Sequence, residues 1–104
     1  MAEAPVIIAG CGVPSKAYKG MGGYGNSTDV DLAIALDHLT LAAVAEGLGT
    51  CWIGAFNEAA IKKLLALPAE VRVIAVTPLG VPAGGGGGGR RKLFEEVVCW
   101  ERYA

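Results

Sequence analysis

Three groups of residues have types and spacings that chemistry can use. The first is Gly20-Met21-Gly22-Gly23-Tyr24-Gly25, whose glycines match the G-x-G-x-x-G spacing of a loop that wraps a dinucleotide pyrophosphate. That chemistry needs the first glycine directly after a strand, the last one opening a helix, and an acid ending the next strand. Here the β-branched run that ends at Ala9 lies well before Gly20, and the next extended stretch, Thr50-Cys51-Trp52-Ile53-Gly54-Ala55-Phe56, ends without an acid. The motif therefore reads as a loop, with Tyr18 and Tyr24 available to cover a pocket. A Walker-type phosphate loop is excluded because no Gly-Lys-Ser/Thr occurs.

The second group is Arg90-Arg91-Lys92, the chain's only cationic cluster. It is too short to track a nucleic-acid backbone, though it can hold one phosphate group or simply be solvated. The third is Cys11, Cys51 and Cys99. Their wide spacing, with no CxxC pair and no His-rich partner set, excludes a zinc site. They read as reduced thiols packed as small hydrophobes in a cytoplasmic protein. No signal peptide is visible, and His38 stands alone within a helix as a satisfied or partly exposed residue.

These residues need elements to position them. The pattern predicts a buried strand over Val6–Ala9, then a long loop, then a helix from about Asp29. Ser27 or Thr28 can cap that helix, and Asp29 and Asp31 suit the positive end of its dipole. Val30, Ile34, Leu41, Val44 and Leu48 line one side of it, while Leu32, Leu36, Leu39 and Ala43 cover much of the rest. Such a helix is buried on most sides. Asp31, Asp37, His38 and Glu46 exclude a membrane span, and Gly47 or Gly49 can end the helix in a left-handed cap. Asn57 caps a short helix through Leu65 that Leu67-Pro68 stops. Glu70–Gly80 holds the clearest strand, apolar on both faces and so central in a covered sheet, with Pro78 and Gly80 terminating it. The six glycines at 84–89 form a flexible loop. After them the pattern predicts one helical turn and a strand from Val97, and Trp52 and Trp100 read as core or interface anchors.

Residues 1–104 form one domain by length. The hydrophobic fraction is 53%, which is high for a small monomer, and points to an oligomer. With nine Lys+Arg against ten Asp+Glu and a net charge of -1, nothing suggests nucleic acid or membrane as a partner.

The stretch "DLAIALDHLTLAAVAEGLGTCWIGAFNEAAIKKLLALPAEVRVIAVTPLGVP" resembles the C-terminal half of the nitroreductase family of FMN-dependent NAD(P)H oxidoreductases. The resemblance lies in the order of its parts. A long apolar helix ends in Gly-Leu-Gly and is followed by Cys-Trp-Ile-Gly; a short helix ends in Leu-Pro; a strand closes on Leu-Gly-Val-Pro. "APVIIAG" resembles the preceding family strand and "RRKLFEEVVCWERY" the family tail. The resemblance implies an α+β nitroreductase-like half fold, a mixed sheet packed by the long helix. It implies a homodimer with FMN in its interface and a C-terminal strand that can exchange between copies.

By the same resemblance, Ile53, Gly54 and Ala55 lie beside the isoalloxazine ring. Read without it, Gly54 marks a strand end or a close backbone approach. The resemblance further implies that Arg91, or its neighbour Arg90, holds the flavin phosphate through forked, charged donors. No catalytic side chain and no metal are implied, since the flavin carries the hydride chemistry. NAD(P)H is the implied co-substrate, and a nitro-aromatic or quinone-like compound the acceptor. The chain departs from the family in lacking its N-terminal half, with an Arg-Ser-x-Arg-like phosphate site and an Asn-containing loop, and in its six glycines. Two functions follow as expectations: a truncated flavin oxidoreductase, or a catalytically inactive half-domain that self-associates or binds flavin.

Overall fold

The computed structural model describes residues 3–103. The chain runs β1 (Val6–Gly12), a 3-10 turn (Pro14–Lys16), α1 (Thr28–Ala45), β2 (Gly49–Thr50), α2 (Glu58–Leu64), β3 (Arg72–Gly80) and α3 (Phe94–Val97). The strands form one three-stranded sheet in the order β1-β3-β2, so the strand expected to be central is central; both pairings are antiparallel, in place of the mixed sheet the resemblance implies. α1 packs on all three strands and α2 on β3. The core is small: Leu36 and Ala43 of α1 and Val73, Ala75 and Val76 of β3 are its buried apolar residues, with Val76 on the sheet face away from α1. Cover is incomplete, since Val6 and Ile7 at the start of β1 remain half exposed.

β1 runs three residues past its expected end at Ala9, and those residues explain how α1 gets so close. A Cβ built on Gly10 would lie 2.5 Å from Leu36 Cδ1, and one on Gly12 would lie 2.5 Å from Thr28 Cγ2. The two glycines, with a bulge between Gly10 and Cys11, form a flat seam on which the helix rests.

α1 begins and ends much as its sequence suggests, with one change. Ser27 occupies the N-cap position, but its hydroxyl does not cap. It accepts the Tyr18 N–H at 3.1 Å and donates to Asp31 Oδ2 at 2.6 Å. The Thr28 N–H is instead taken by Asn26 Oδ1 at 3.0 Å. At the far end Gly47 adopts φ +74°, and the N–H groups of Gly47 and Leu48 reach back to Val44 and Ala43. α2 starts as expected, with Asn57 Oδ1 accepting the Ala60 N–H at 3.0 Å. It ends one turn before Pro68 through Ala66, which holds φ +51° while the Leu67 N–H bonds Lys62 O at 2.8 Å.

The expectation that α1 is buried on most sides needs correction. Leu36 and Ala43 face the sheet and are buried, yet Ile34, Leu41 and Val44 are 51%, 63% and 70% exposed. At 100° per residue Ile34 and Leu41 lie on the helix side opposite Leu36 and Ala43, and Val44 lies on the flank between. The helix thus has two apolar faces, and the sheet covers one.

Two further corrections concern strands. β3 does not stop at Pro78 but continues to Gly80. Val76 exchanges backbone bonds with Ile53, so two residues on, Pro78 turns its nitrogen to that same side, where the ladder to β2 is interrupted. The proline therefore removes a donor only at a gap. The strand expected from Val97 is absent among the described residues: after α3 the chain turns through bends. An extended tail needs a sheet edge to pair with, and none lies beside it. Leu93, Phe94, Val97, Trp100 and Tyr103 are consequently exposed, with Trp100 only tilted against Phe94 at a 6.4 Å ring separation. The six glycines at 84–89 run through open space. Among the described residues, no helix is long and apolar enough to cross a membrane.

Candidate functional site

The segment between β2 and α2 combines firm anchorage with an open backbone. Ile53 and Val76 exchange N–H···O bonds of 2.9 and 3.0 Å. One step back, the Cys51 N–H donates to the Thr77 hydroxyl at 3.0 Å, and that hydroxyl donates to Pro78 O at 2.9 Å. On the other side the segment is fixed by the Asn57 cap and by α2, whose Glu58 Oε1 accepts the Val73 N–H at 3.0 Å.

Between these anchors Gly54 and Ala55 are exposed. Among the described residues, neither of their N–H groups has a hydrogen-bond partner, and a Cβ on Gly54 would meet nothing within 4 Å. Two successive free amide donors on a rigidly held, unobstructed backbone can serve acceptor atoms on the edge of a flat heterocycle. A larger residue at position 54 would hold such a ring away. The donor set and the space beside it fit a flavin ring.

Arg90 and Arg91 are exposed and share a shallow hollow with Lys92, Leu93 and Glu96. Among the described residues neither pairs with a carboxylate; the ion pair present is Arg72–Glu58 at 3.8 Å. The two guanidinium groups are free to hold a phosphate. The hollow they line does not include Ile53, Gly54 or Ala55, so the structure does not bring the two parts of the expected site into one cavity.

The remaining candidates carry less. Gly22 and Gly25 stand in open space, and Gly25 precedes rather than opens α1, so the glycine motif lacks the strand–loop–helix frame of a pyrophosphate site. Its loop is closed at the base, where the Ser27 N–H bonds Tyr18 O at 2.8 Å, while Tyr18 and Tyr24 are exposed. His38 is exposed. Trp52 and Trp100 are also exposed, which removes the core reading for both. No group of residues able to hold a metal ion occurs among the described residues.

Packing as a small hydrophobe holds for one cysteine of three. Cys11 is partly buried, its thiol donates to Ala9 O at 3.6 Å, and burial pushes its pKa up; Cys51 and Cys99 are free and exposed. A raised pKa leaves less thiolate at neutral pH, so labelling with an aromatic disulfide reagent is expected in two phases. Two thiols react quickly and the third at least about tenfold more slowly. Cys51→Ser with Cys99→Ser should leave only the slow phase.

Two features of the site are not among the residues the sequence singled out. Thr77 gives itself away only by preceding a proline in a run that otherwise reads as a central strand. The Gly10–Gly12 pair has the signature of closely approached backbone, a glycine inside a strand pattern.

A family model described as the Nitroreductase family matches residues 1–81. Among solved structures, the chain is similar to a nitroreductase family protein from Clostridium novyi NT, with 44% identity over 76% of this chain and 44% of that one, TM-score 0.69. It is similar to a nitroreductase family protein from Clostridium difficile 630, with 27% identity over 97% of this chain and 62% of that one, TM-score 0.86. An FMN-dependent nitroreductase from Clostridium difficile R20291 shares the fold at 22% identity, over 96% of this chain and 59% of that one, TM-score 0.76. The chain spans roughly half the length of these relatives.

Proposed function

The chain belongs to the nitroreductase family, and from that premise we propose that it serves as an FMN-dependent oxidoreductase. In this reading hydride passes from NAD(P)H through the flavin to a nitro-aromatic or quinone-like acceptor, in a cytoplasmic homodimer. A bound flavin supplies the capacity to take up and release hydride. The chain's own part is to hold it. The amides of Gly54 and Ala55 donate to the ring edge, Ile53 keeps that backbone in place through Val76, and Arg91 with Arg90 takes the phosphate. The second copy covers the outer face of α1, and the tail from Leu93 onward lies along the partner's sheet, which gives its exposed apolar residues a place to go.

The observation that carries the reading is the pair of unengaged amides at Gly54 and Ala55 on an anchored, open backbone. It is tested by titrating the purified protein with FMN and with riboflavin, followed by flavin fluorescence. FMN should bind more tightly than riboflavin. Arg90→Ala with Arg91→Ala should weaken FMN by about tenfold to a hundredfold, the worth of charge-assisted hydrogen bonds, and leave riboflavin unchanged. A protein that takes up neither flavin overturns the proposal. The second reading, a self-associating half-domain without turnover, draws support from the exposed apolar residues of α1 and of the tail. It predicts a dimer that does not oxidise NAD(P)H in the presence of FMN.

A further inference from the structure

We infer that Thr77 is a positioning residue for the backbone at Ile53–Ala55, its hydroxyl bridging the Cys51 N–H and the Pro78 carbonyl where the β-ladder is broken. The inference rests on the proposed flavin role of that segment for its functional meaning, but not for its geometry. Gly49 pairs with Gly80, Thr50 with Leu79, and Ile53 with Val76. Continued through the gap, this register sets Cys51 opposite Pro78. An ordinary residue at 78 would exchange two backbone bonds with Cys51 there. Proline has no N–H, and the direct exchange is not made.

The Thr77 side chain fills the gap instead. It is 3% exposed, accepts the Cys51 N–H at 3.0 Å and donates to Pro78 O at 2.9 Å. One hydroxyl thus satisfies a donor and an acceptor that would otherwise face each other across a broken ladder. The consequence reaches Gly54. Cys51 held through Thr77 and Ile53 held through Val76 are two fixed points two residues apart, and together they set the direction in which the backbone leaves toward the free amides of Gly54 and Ala55. Without the first point the chain can pivot about Ile53.

The test is amide hydrogen exchange on the intact chain, resolved by residue, with FMN affinity as a second readout. In the wild-type protein the Cys51 amide should be protected and the Trp52 amide should not. Thr77→Val keeps the shape and removes the hydroxyl; the Cys51 amide should then exchange about tenfold faster, with the Ile8 amide in β1 unaffected. Thr77→Ser should restore protection. FMN affinity should fall about tenfold in Thr77→Val and recover in Thr77→Ser, a pattern that mere loss of stability would not reproduce.

A wild-type Cys51 amide that exchanges like an unstructured one overturns the inference, even if Thr77→Val does not fold. Unchanged Cys51 exchange in a folded Thr77→Val overturns it as well. A wild-type protein that protects Cys51 yet binds no FMN upholds the positioning and sinks the flavin reading alone.

Discussion

Replacing both Gly10 and Gly12 by valine is expected to abolish folding of this chain. Each position faces a buried side chain: Leu36, 5% exposed, over Gly10, and Thr28 over Gly12. A single added methyl at either glycine already falls 2.5 Å from a carbon of α1. Overpacking of this kind costs about 1–3 kcal/mol per site, against which alanine in a strand regains about 0.5–1 kcal/mol of backbone entropy. Gly10→Ala should therefore destabilise by about 1–2 kcal/mol and each valine by about 3 kcal/mol. Two valines on one seam approach the whole stability of a domain this size, about 5–15 kcal/mol at most. Urea denaturation at fixed protein concentration measures the single variants, and loss of a cooperative transition marks the double. Gly22→Ala and Gly25→Ala, with open space around both, serve as controls and should shift the midpoint hardly at all. Wild-type stability in the double valine variant would show that α1 does not rest on β1 as described.

The second large effect concerns the face of α1 turned away from the sheet. Leu41→Glu combined with Val44→Glu is expected to turn the proposed homodimer into a monomer. Burying a Leu or Val side chain stabilises an interface by about 1.5–3 kcal/mol, and a two-fold contact loses each residue twice. With carboxylates set facing one another in an apolar contact, the dissociation constant should rise by at least about ten-thousandfold. Sedimentation velocity from 1 to 100 μM, concentrations chosen to bracket a range of about 3 kcal/mol, reports the outcome. Leu41 sits opposite Leu36 and Ala43 and Val44 on the helix flank, both well exposed, so the monomer should keep its fold and its far-ultraviolet spectrum. A wild-type protein that is already monomeric at the top of that range removes the premise.

What could be read from residues alone was whatever is decided locally. The Asn57 cap, the left-handed Gly47 and the centrality of β3 each follow from a residue type whose preference the surroundings do not contest. The misreadings occur where tertiary context overrides a local rule. Ala66 takes a left-handed conformation normally left to glycine because two backbone bonds to Lys62 and Lys63 close the helix there. Pro78 continues a strand because the hydrogen bond it forfeits falls at a gap which a neighbouring threonine fills. Ser27 sits at the cap but spends its hydroxyl on Asp31.

The candidate site divides in the same way. The openness of Gly54 was suggested by residue type and by family resemblance. How Thr77 holds the approach to it depends on a register between segments far apart in sequence, which no local pattern encodes. The tail shows a different boundary: Leu93, Phe94, Val97, Trp100 and Tyr103 are apolar, yet none is buried within the chain.

The pairing of β1 with β3 also bears on how the protein is made. Gly12 pairs with Arg72 and Val6 with Leu79, so β1 leaves the ribosome at least about 60 residues ahead of the strand it pairs with. At translation speeds of about 5–20 residues per second, that is a wait of roughly 3 to 12 seconds. During the wait α1 is complete, greasy on two sides, and has no sheet to lie on. Synthesis thus holds a sticky nascent segment in the open until β3 emerges, and the yield in a cell should depend on chaperone supply and growth temperature.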